Sequence, residues 1–351
     1  MRTLTLIALL VQGAAAAQAP KPALAQALES ALQALPARTA LYVKHLKTGE
    51  EAAVRADESF NSQSVIKIPI MVRAFQLADQ GKLSLDERVT LTRADLRDGT
   101  GVFQYADLGL APTVRDLVQQ MIITSDNTAT DVMTTKVGGV EGLNAWLAES
   151  GYRIRMVNRG YEYRRKLLAR LDVRLAGLTA EETTGLQYAM TDNPLFELYR
   201  PLFTGERAKW LDIVRDPANR QKHRDNQRTL MVEDRAIWLG DITAREIGRM
   251  LEAIERETIA TSSNATAMRT FMRRQLAGSR RLPHFVEVPV AHKTGDSGNI
   301  ANDVGIMYAR SGPIVIAILA VGITGSYGEA EDRIGRMAEM VVNHFDRPAG
   351  R

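Results

Sequence analysis

The sequence predicts an α/β (α+β) fold, in which an antiparallel sheet flanked by helices carries an inserted, mostly helical domain. A hairpin pattern lies near the start of the chain, three strand patterns lie near its end, and a long helical block separates them. Strands that are distant in sequence pair in one sheet when the block between them folds as its own layer. With 351 residues, 45% hydrophobic and 25% charged, the chain has enough apolar side chains for these cores.

Residues 1–19 have the pattern of a secretory signal peptide. Arg2 precedes the apolar run from Leu4 to Val11, and the small residues up to Ala19 offer sites for signal peptidase. The alternative is a buried N-terminal helix, for which the apolar run is short. No cysteine follows the run for a lipid anchor, and no later segment has the length to span a bilayer. We therefore expect an exported, soluble protein of the bacterial periplasm or the extracellular space.

The mature chain begins with a predicted helix and a β-hairpin. Leucines recur at helical spacing from Leu24 to Leu35, and Pro36 ends the pattern. Residues 40–46 alternate as a strand, Lys47-Thr48-Gly49 forms a turn, and a second strand follows at residues 52–54.

The middle of the chain has mostly helical patterns. Helical spacing covers residues 65–78, 113–123, 129–137, 140–150 and 167–178. Thr243 and Glu246 have the spacing of a capping box that opens the next helix. We predict a helical domain over residues 61–245, with an extended insertion at about 163–240.

Strand patterns return at residues 288–291, 304–309 and 314–321, and a helix with one apolar face covers 334–345. The last strand is a continuous apolar run, which is typical of a strand covered on both faces. We therefore assign residues 20–60 and 246–351 to one discontinuous sheet domain.

Composition excludes several classes of site. The formal charge of +4 is small for this length and the basic residues are dispersed, so we expect no nucleic acid partner. The absence of cysteine excludes disulfides, thiol nucleophiles and Cys-based zinc sites. The five histidines are scattered, and the chain has no phosphate loop or dinucleotide fingerprint. We expect no metal, no cofactor, no membrane contact after signal removal, and a monomer that binds a small molecule.

The first chemical motif is Ser64-Val65-Ile66-Lys67, which opens an apolar helix pattern. Its serine is expected at a helix N-terminus, where free backbone N–H groups stabilise a developing oxyanion. Lys67 lies on the same helix face, and burial among aliphatic side chains favours a neutral amine that accepts the Ser64 proton. The alternative for this motif alone is a capped helix with a surface lysine.

The second motif, Ser125-Asp126-Asn127, precedes another helical pattern. Taken alone, it is typical of a helix start rich in capping residues. In a reactive site, Ser125 would pass a proton to a leaving nitrogen, and the Asn127 amide would hold a carbonyl group of the substrate.

The third motif, Lys-Thr-Gly, occurs twice. The copy at residues 47–49 joins two strand patterns and is interpreted as a turn. The copy Lys293-Thr294-Gly295 ends a strand pattern and follows both other motifs. Its cation and hydroxyl suit a substrate carboxylate, and the backbone N–H of Asp296 would complete an oxyanion pair with that of Ser64.

Three such motifs in this order resemble the signature of penicillin-recognising serine enzymes, and the sequence is similar to the class A β-lactamases. The similarity extends to Val137-Gly138-Gly139 with Leu143, and to residues 292–298 with 302–306; in all it covers about residues 22–159 and 241–346. The resemblance implies that family's two-domain fold and a serine β-lactamase that opens β-lactam amides through a Ser64 acyl-enzyme. The implied catalytic residues are Ser64, Lys67 and Ser125; the implied substrate-binding residues are Asn127, Lys293, Thr294, Gly295 and Asp296.

The sequence departs from this family after residue 159. Family members carry a carboxylate, in a Glu-x-x-x-Asn pattern, that activates the water releasing the acyl group. The corresponding position is Tyr161, with Glu162 as its neighbour, and no asparagine follows at the expected offset. Glu162 is the candidate for this step, and a solvated carboxylate beside Arg164 and Arg165 is the alternative.

Three other functions are compatible with the sequence. The altered segment after Arg159 would permit a peptidoglycan peptide or a small ester as the substrate. A protein that is acylated at Ser64 and turns over slowly would act as a sensor or trap. A structural exported module is the third alternative.

Overall fold

A computed structural model describes residues 23–347 of the chain. Its strands are β1 (Arg38–His45), β2 (Glu51–Val54), β3 (Phe60–Asn61), β4 (Arg155–Met156), β5 (Gly240–Ile242), β6 (Val290–Ser297), β7 (Ile300–Ala309) and β8 (Gly312–Val321). Five of them form an antiparallel sheet in the order β2-β1-β8-β7-β6. The early hairpin therefore pairs with the three late strands, which confirms the predicted fold class.

Helices cover both faces of this sheet and form the helical block that lies beside it. They are α1 (Ala23–Gln33), α2 (Lys67–Asp79), α3 (Val114–Ile123), α4 (Asn127–Lys136), α5 (Gly139–Glu149), α6 (Gly160–Ala169), α7 (Ala180–Met190), α8 (Phe196–Tyr199), α9 (Ala208–Arg215), α10 (Pro217–Glu233), α11 (Ala244–Glu255), α12 (Ser262–Met272) and α13 (Tyr327–Asp346). Across residues 23–347 no helix has both the length and the apolar content needed to cross a membrane.

The apolar strand β8 separates two hydrophobic cores. Its Ile316 and Ile318 face α1 and α13, where they pack with Leu28 and Ile334 among others. Its Ala317 and neighbouring alternate residues face α11 and the helical block. A strand that is buried on both faces has a continuous apolar sequence, which explains the pattern at residues 314–321.

Helix α11 packs closely on the sheet through Gly248. A Cβ atom at Gly248 would lie 2.3 Å from the Tyr42 ring. Because an added side chain must push α11 away from β1, we expect Gly248→Val to lower the free energy of unfolding by about 1–3 kcal/mol. Gly177→Val is the control, because a Cβ at Gly177 meets no atom within 4 Å. Denaturant unfolding of both variants measures the difference, and equal losses would contradict the packing argument.

Residues 160–240, here called the extended segment, form the part of the chain that the resemblance did not cover. Helices α6 to α9 enclose a separate apolar cluster, which includes Leu168, Leu186, Tyr199 and Val214. The helix predicted at 167–178 is interrupted: α6 ends at Ala169 and a 3₁₀ turn covers Val173–Gly177. The Asp172 carboxylate accepts the N–H of Arg174 at 2.9 Å and so caps a new turn.

Two statements about chain organisation remain predictions. The signal peptide at residues 1–19 lies outside the described residues. The division into a sheet domain (20–60 and 246–351) and a helical domain (61–245) stays a prediction, although the large sheet takes its strands from the first of these two sets.

Candidate active site

A cleft of about 210 Å³ lies between the edge strand β6 and the helical block. It is lined by residues of the first two motifs, by the two residues that follow the third motif and by residues of the extended segment, namely Gln63, Ser64, Lys67, Thr100, Ser125, Asn127, Asp131, Gly160, Tyr163, Arg164, Gln227, Ala277, Asp296 and Ser297 among others. Motifs that are far apart in the sequence therefore meet in one place.

Ser64 lies in a 3₁₀ turn, Gln63–Ile66, that leads into α2. The sequence predicted an α-helix start at this position, and the structure places the first α-helical residue at Lys67. The backbone N–H of Lys67 donates to the Ser64 carbonyl. Gln63, directly before the serine, has a φ of 45°, which is a left-handed backbone conformation. Such strain persists only where the surrounding structure over-determines it, as at reactive sites.

The Lys67 side chain is almost fully buried, with 2% of its surface exposed. Its Nζ lies 2.6 Å from the Ser125 carbonyl oxygen, 3.0 Å from Ser125 Oγ and 3.0 Å from Asn127 Oδ1. Burial, with a smaller contribution from the charge of Lys293, lowers the pKa of Lys67 well below its ordinary value. The Lys67 amine donates to all three oxygen atoms, and its lowered pKa favours the neutral form.

The turn at Ser125 is held by the next residue. Ser125 has a φ of 56°, and the Asp126 carboxylate accepts backbone N–H groups of Val102, Phe103 and Ala129 at 2.6 to 2.8 Å. Asp126 is thus the N-cap of α4 and also ties this helix to the preceding loop. The second motif therefore forms a capped helix start, and it also places Ser125 in the cleft.

Lys293 approaches the same hydroxyl from the sheet. Its fully buried Nζ donates to Ser125 Oγ at 3.1 Å and to the Thr294 carbonyl at 3.0 Å. Burial lowers the pKa of Lys293 to about 8. The motif lies inside β6, which continues to Ser297, rather than at the end of a strand. Gly295 permits the contact with the serine turn, because a Cβ there would lie 2.4 Å from the Ser62 carbonyl oxygen.

Two further motif positions carry polar groups beside the cleft. The Thr294 Oγ1 atom is buried and has no hydrogen-bond partner. The Asp296 side chain accepts from the Tyr327 hydroxyl at 2.9 Å and forms an ion pair with buried Arg281. Although burial opposes it, the Arg281 guanidinium holds the pKa of Asp296 below its ordinary range. Arg281 was missed in the sequence because no motif marks it.

Glu162 is not brought to this cleft. Its carboxylate accepts the backbone N–H of Arg159 at 2.7 Å at the start of α6. It lines a different surface cavity, together with Arg165 and Lys166 among others. The third position of a helix directs a carboxylate back to the free N–H groups, and this capping contact turns Glu162 away from Ser64.

The extended segment contributes groups to the cleft that the sequence did not predict. α6 supplies Tyr163 and Arg164, and α10 supplies Gln227. The sequence marked Arg164 only as a neighbour of Glu162, yet its side chain is only 12% exposed and pairs with Asp98 at 2.8 Å. Its position on α6, two residues after Glu162, gives no signal that distinguishes it from the neighbouring arginines.

No metal site is evident over residues 23–347, since no three histidine, aspartate or glutamate side chains cluster there. His292, next to Lys293, instead shares a contact of 2.9 Å with the buried Asp303 carboxylate. Two buried lysines, Lys67 and Lys293, contact the Ser125 hydroxyl, and the partly exposed Ser64 lines the same cleft.

Comparison with solved structures extends this picture. A β-lactamase from Sphaerobacter thermophilus superposes with a TM-score of 0.65 at 20% identity, covering 93% of this chain and 98% of that one. A point mutant of PBP-A, solved as an acyl-enzyme complex with penicillin G, gives a TM-score of 0.66 at 20% identity, covering 92% and 96%. At this identity the likeness shows the fold.

Sequence relatives are also β-lactamases. Those of Amycolatopsis lactamdurans and Stenotrophomonas maltophilia (β-lactamase L2) are 30% and 33% identical, over 41% and 32% of this chain. The aligned regions span 47% and 37% of those relatives, which is less than half of their length. The model of the β-lactamase enzyme family matches residues 23–345. The resemblance inferred from the three motifs is thereby confirmed, and this chain belongs to the β-lactamase enzyme family.

Proposed function

We propose that this protein is a serine hydrolase that opens β-lactam amides through an acyl-enzyme on Ser64. The observation that carries the proposal is the meeting of Lys67 Nζ and Lys293 Nζ at Ser125 Oγ, at 3.0 and 3.1 Å, in the cleft that Ser64 lines. Family membership supports the reaction class. We further propose that the protein acts after export, as a monomer on a small-molecule substrate.

Acylation uses the two serines and Lys67. The Ser64 oxygen attacks the lactam carbonyl carbon while its proton passes to the neutral Lys67 amine. The carbon–nitrogen bond then breaks, and the leaving nitrogen receives a proton through the Ser125 hydroxyl. The backbone N–H groups of Ser64 and Asp296 would stabilise the oxyanion, which is consistent with the close approach of β6 to the serine turn.

Substrate binding uses the motif side chains around these serines. Lys293 and Thr294 would hold the substrate carboxylate, Gly295 allows β6 to come close, and Asn127 would hold the carbonyl group on the acyl side. The unpartnered Thr294 hydroxyl supports this role, since a buried polar atom without a partner is costly and a bound carboxylate would satisfy it.

A second candidate function is a protein that is acylated and released slowly. Release requires a base that activates water, and the carboxylates lining the described part of the cleft are Asp131 and Asp296. Asp131 pairs with Arg97 and Asp296 pairs with Arg281. The Arg281 guanidinium lowers the pKa of Asp296 and so makes it a weak base, and the Asp131 carboxylate is occupied by Arg97; both features favour a long-lived acyl-enzyme.

Hydrolysis of a chromogenic cephalosporin, followed with intact-protein mass, tests both candidates. A hydrolase gives many product equivalents at a constant rate. The second candidate gives a burst of one equivalent per protein and a persistent adduct. If the protein forms neither product nor adduct, both are rejected.

Glu162→Gln tests whether Glu162 activates the water. Because this carboxylate caps α6 and faces another cavity, we expect the turnover of Glu162→Gln to stay within about twofold of the wild type. Accumulation of an adduct in this variant alone would instead make Glu162 the residue that activates water. The steady-state rate and the mass spectrum are measured on the same sample.

The pKa of Lys293 predicts an alkaline limit to substrate capture. We expect kcat/KM for a carboxylate-bearing substrate to fall as the pH rises through about 8, because the lowered pKa of Lys293 leaves the amine uncharged above that pH. In Lys293→Arg the guanidinium keeps its charge, so the descending limb of the pH profile should move upward. If the descending limb lies at the same pH in both proteins, a group other than Lys293 causes it.

A further inference from the structure

The extended segment delivers one buried cation to the wall of the cleft. Arg164, on α6, lines the cleft together with Lys67 and Asn127, and its side chain is 12% exposed. Its Nε pairs with Asp98 Oδ2 at 2.8 Å, and one terminal nitrogen donates to the Gly160 carbonyl at 3.2 Å. A buried guanidinium held in this way has a fixed position.

The guanidinium and the Asn127 amide pack on the same glycine. A Cβ at Gly99, whose φ is +96°, would lie 2.8 Å from a terminal nitrogen of Arg164 and 2.8 Å from Asn127 Nδ2. Asn127 Nδ2 donates to the Asp98 carbonyl at 2.9 Å, and the other end of this amide, Oδ1, accepts from Lys67 Nζ at 3.0 Å. Asp98 is therefore shared: its carboxylate binds Arg164 and its carbonyl orients Asn127.

Four charges on three elements act on Lys67. Lys293 and Asp296 belong to β6, Asp126 caps α4, and Arg164 belongs to α6. Arg164 and Lys293 disfavour an ammonium at Lys67, whereas the two aspartates favour it. His223 on α10 adds no positive charge near neutral pH, because burial lowers its pKa to about 4.

We propose that Arg164 and Asp98 form a positioning pair, in which Asp98 holds the Asn127 amide toward Lys67 and the Arg164 cation keeps the Lys67 amine unprotonated for attack. This inference rests on the proposed role of Lys67 as the base. It gives the extended segment a part in acylation that the sheet and the three motifs do not supply. Arg164 acts through Lys67 and is not itself a catalytic residue.

The test is the pH dependence of Ser64 acylation by benzylpenicillin, measured as a second-order rate by intact-protein mass. The acid limb of this pH–rate profile reports the protonation of Lys67. In Arg164→Met we expect this limb to move to higher pH by about one unit, so the rate at pH values below it falls about tenfold. In Asp98→Asn the limb should move down, because the removed charge is negative. In Arg164→Lys the limb should stay in place.

Opposite shifts distinguish this role from a structural one. Both Arg164→Met and Asp98→Asn break the same ion pair, so a merely structural pair predicts equal loss of rate at every pH and no displaced limb. Arg220→Met, which breaks an ion pair with Asp192 in the same segment, is the matched control. If Arg164→Met does not fold, Asp98→Asn and Arg164→Lys still decide the question.

The outcomes also separate this inference from the proposed function. A wild-type protein that forms neither adduct nor hydrolysis product at any pH refutes the proposed function. If the wild type is acylated, two results overturn the role of Arg164 and Asp98 and leave the proposed function intact. In the first, the acid limb lies at the same pH in all variants. In the second, Arg164→Met and Asp98→Asn move the limb in the same direction.

Discussion

Ser64→Ala is expected to abolish the covalent adduct with benzylpenicillin and to lower turnover by on the order of 10⁴-fold. The alanine has no oxygen to bond to the lactam carbonyl, and the remaining groups only bind and polarise the substrate. Because Ser64 is partly exposed and lines the cleft, its replacement leaves the surrounding core unchanged. Intact-protein mass after incubation with the penicillin reads the adduct directly.

Ser62→Ala is the matched control for this experiment. Ser62 lies two residues earlier, is fully buried and donates its hydroxyl to the Gln63 carbonyl at 3.0 Å. The Ser62→Ala protein should still form the adduct. An adduct that survives in Ser64→Ala, mapped by peptide digestion to Ser125 or another residue, would refute Ser64 as the nucleophile.

Lys67→Met is expected to slow acylation by about 10²- to 10⁴-fold without loss of stability. Methionine keeps an unbranched, flexible side chain in the buried site but has no amine to accept the Ser64 proton. The loss of the amine costs little because its partners keep other hydrogen bonds: the Ser125 carbonyl accepts from Thr100 Oγ1 at 2.7 Å, and Ser125 Oγ accepts from Lys293 Nζ at 3.1 Å. Rapid mixing with a chromogenic cephalosporin measures the rate, and thermal unfolding measures stability.

Lys136→Met serves as the control for a lost lysine. Lys136 forms an ion pair with Glu87 at the end of α4, so its removal should leave the acylation rate unchanged. If Lys67→Met reacts as fast as the wild type, a different base takes the Ser64 proton. If it unfolds at a much lower temperature, the role of Lys67 is structural.

The strongest sequence patterns predicted much of the fold. Lys47-Thr48-Gly49 is the hairpin turn between β1 and β2, and Gly49 adopts a φ of 78° there. The run at 314–321 is the central strand β8, buried on both faces. These features depend on local turn chemistry and apolar periodicity, which a single sequence displays directly.

The site was predictable only in part, because several of its contacts are set by tertiary structure. The three motifs indicated which residues meet, since each is a short pattern with its own chemistry. The left-handed conformations of Gln63 and Ser125 are imposed by their surroundings, and no residue preference marks them. Arg164 and Gln227 enter the cleft through the packing of α6 and α10, which distant parts of the chain determine.

The separate apolar cluster of helices α6 to α9 has a consequence for how the cleft responds to heat or denaturant. Helix α6 joins this cluster to the main core, because Leu168 belongs to the separate cluster and Tyr163, which lines the cleft, belongs to the main core. Regions with their own small core open locally at lower free energy than the whole molecule. Warming or mild denaturant is therefore expected to open α7 to α9 first, which exposes Leu168 on α6 while Tyr163 and Ser64 keep the support of the main core.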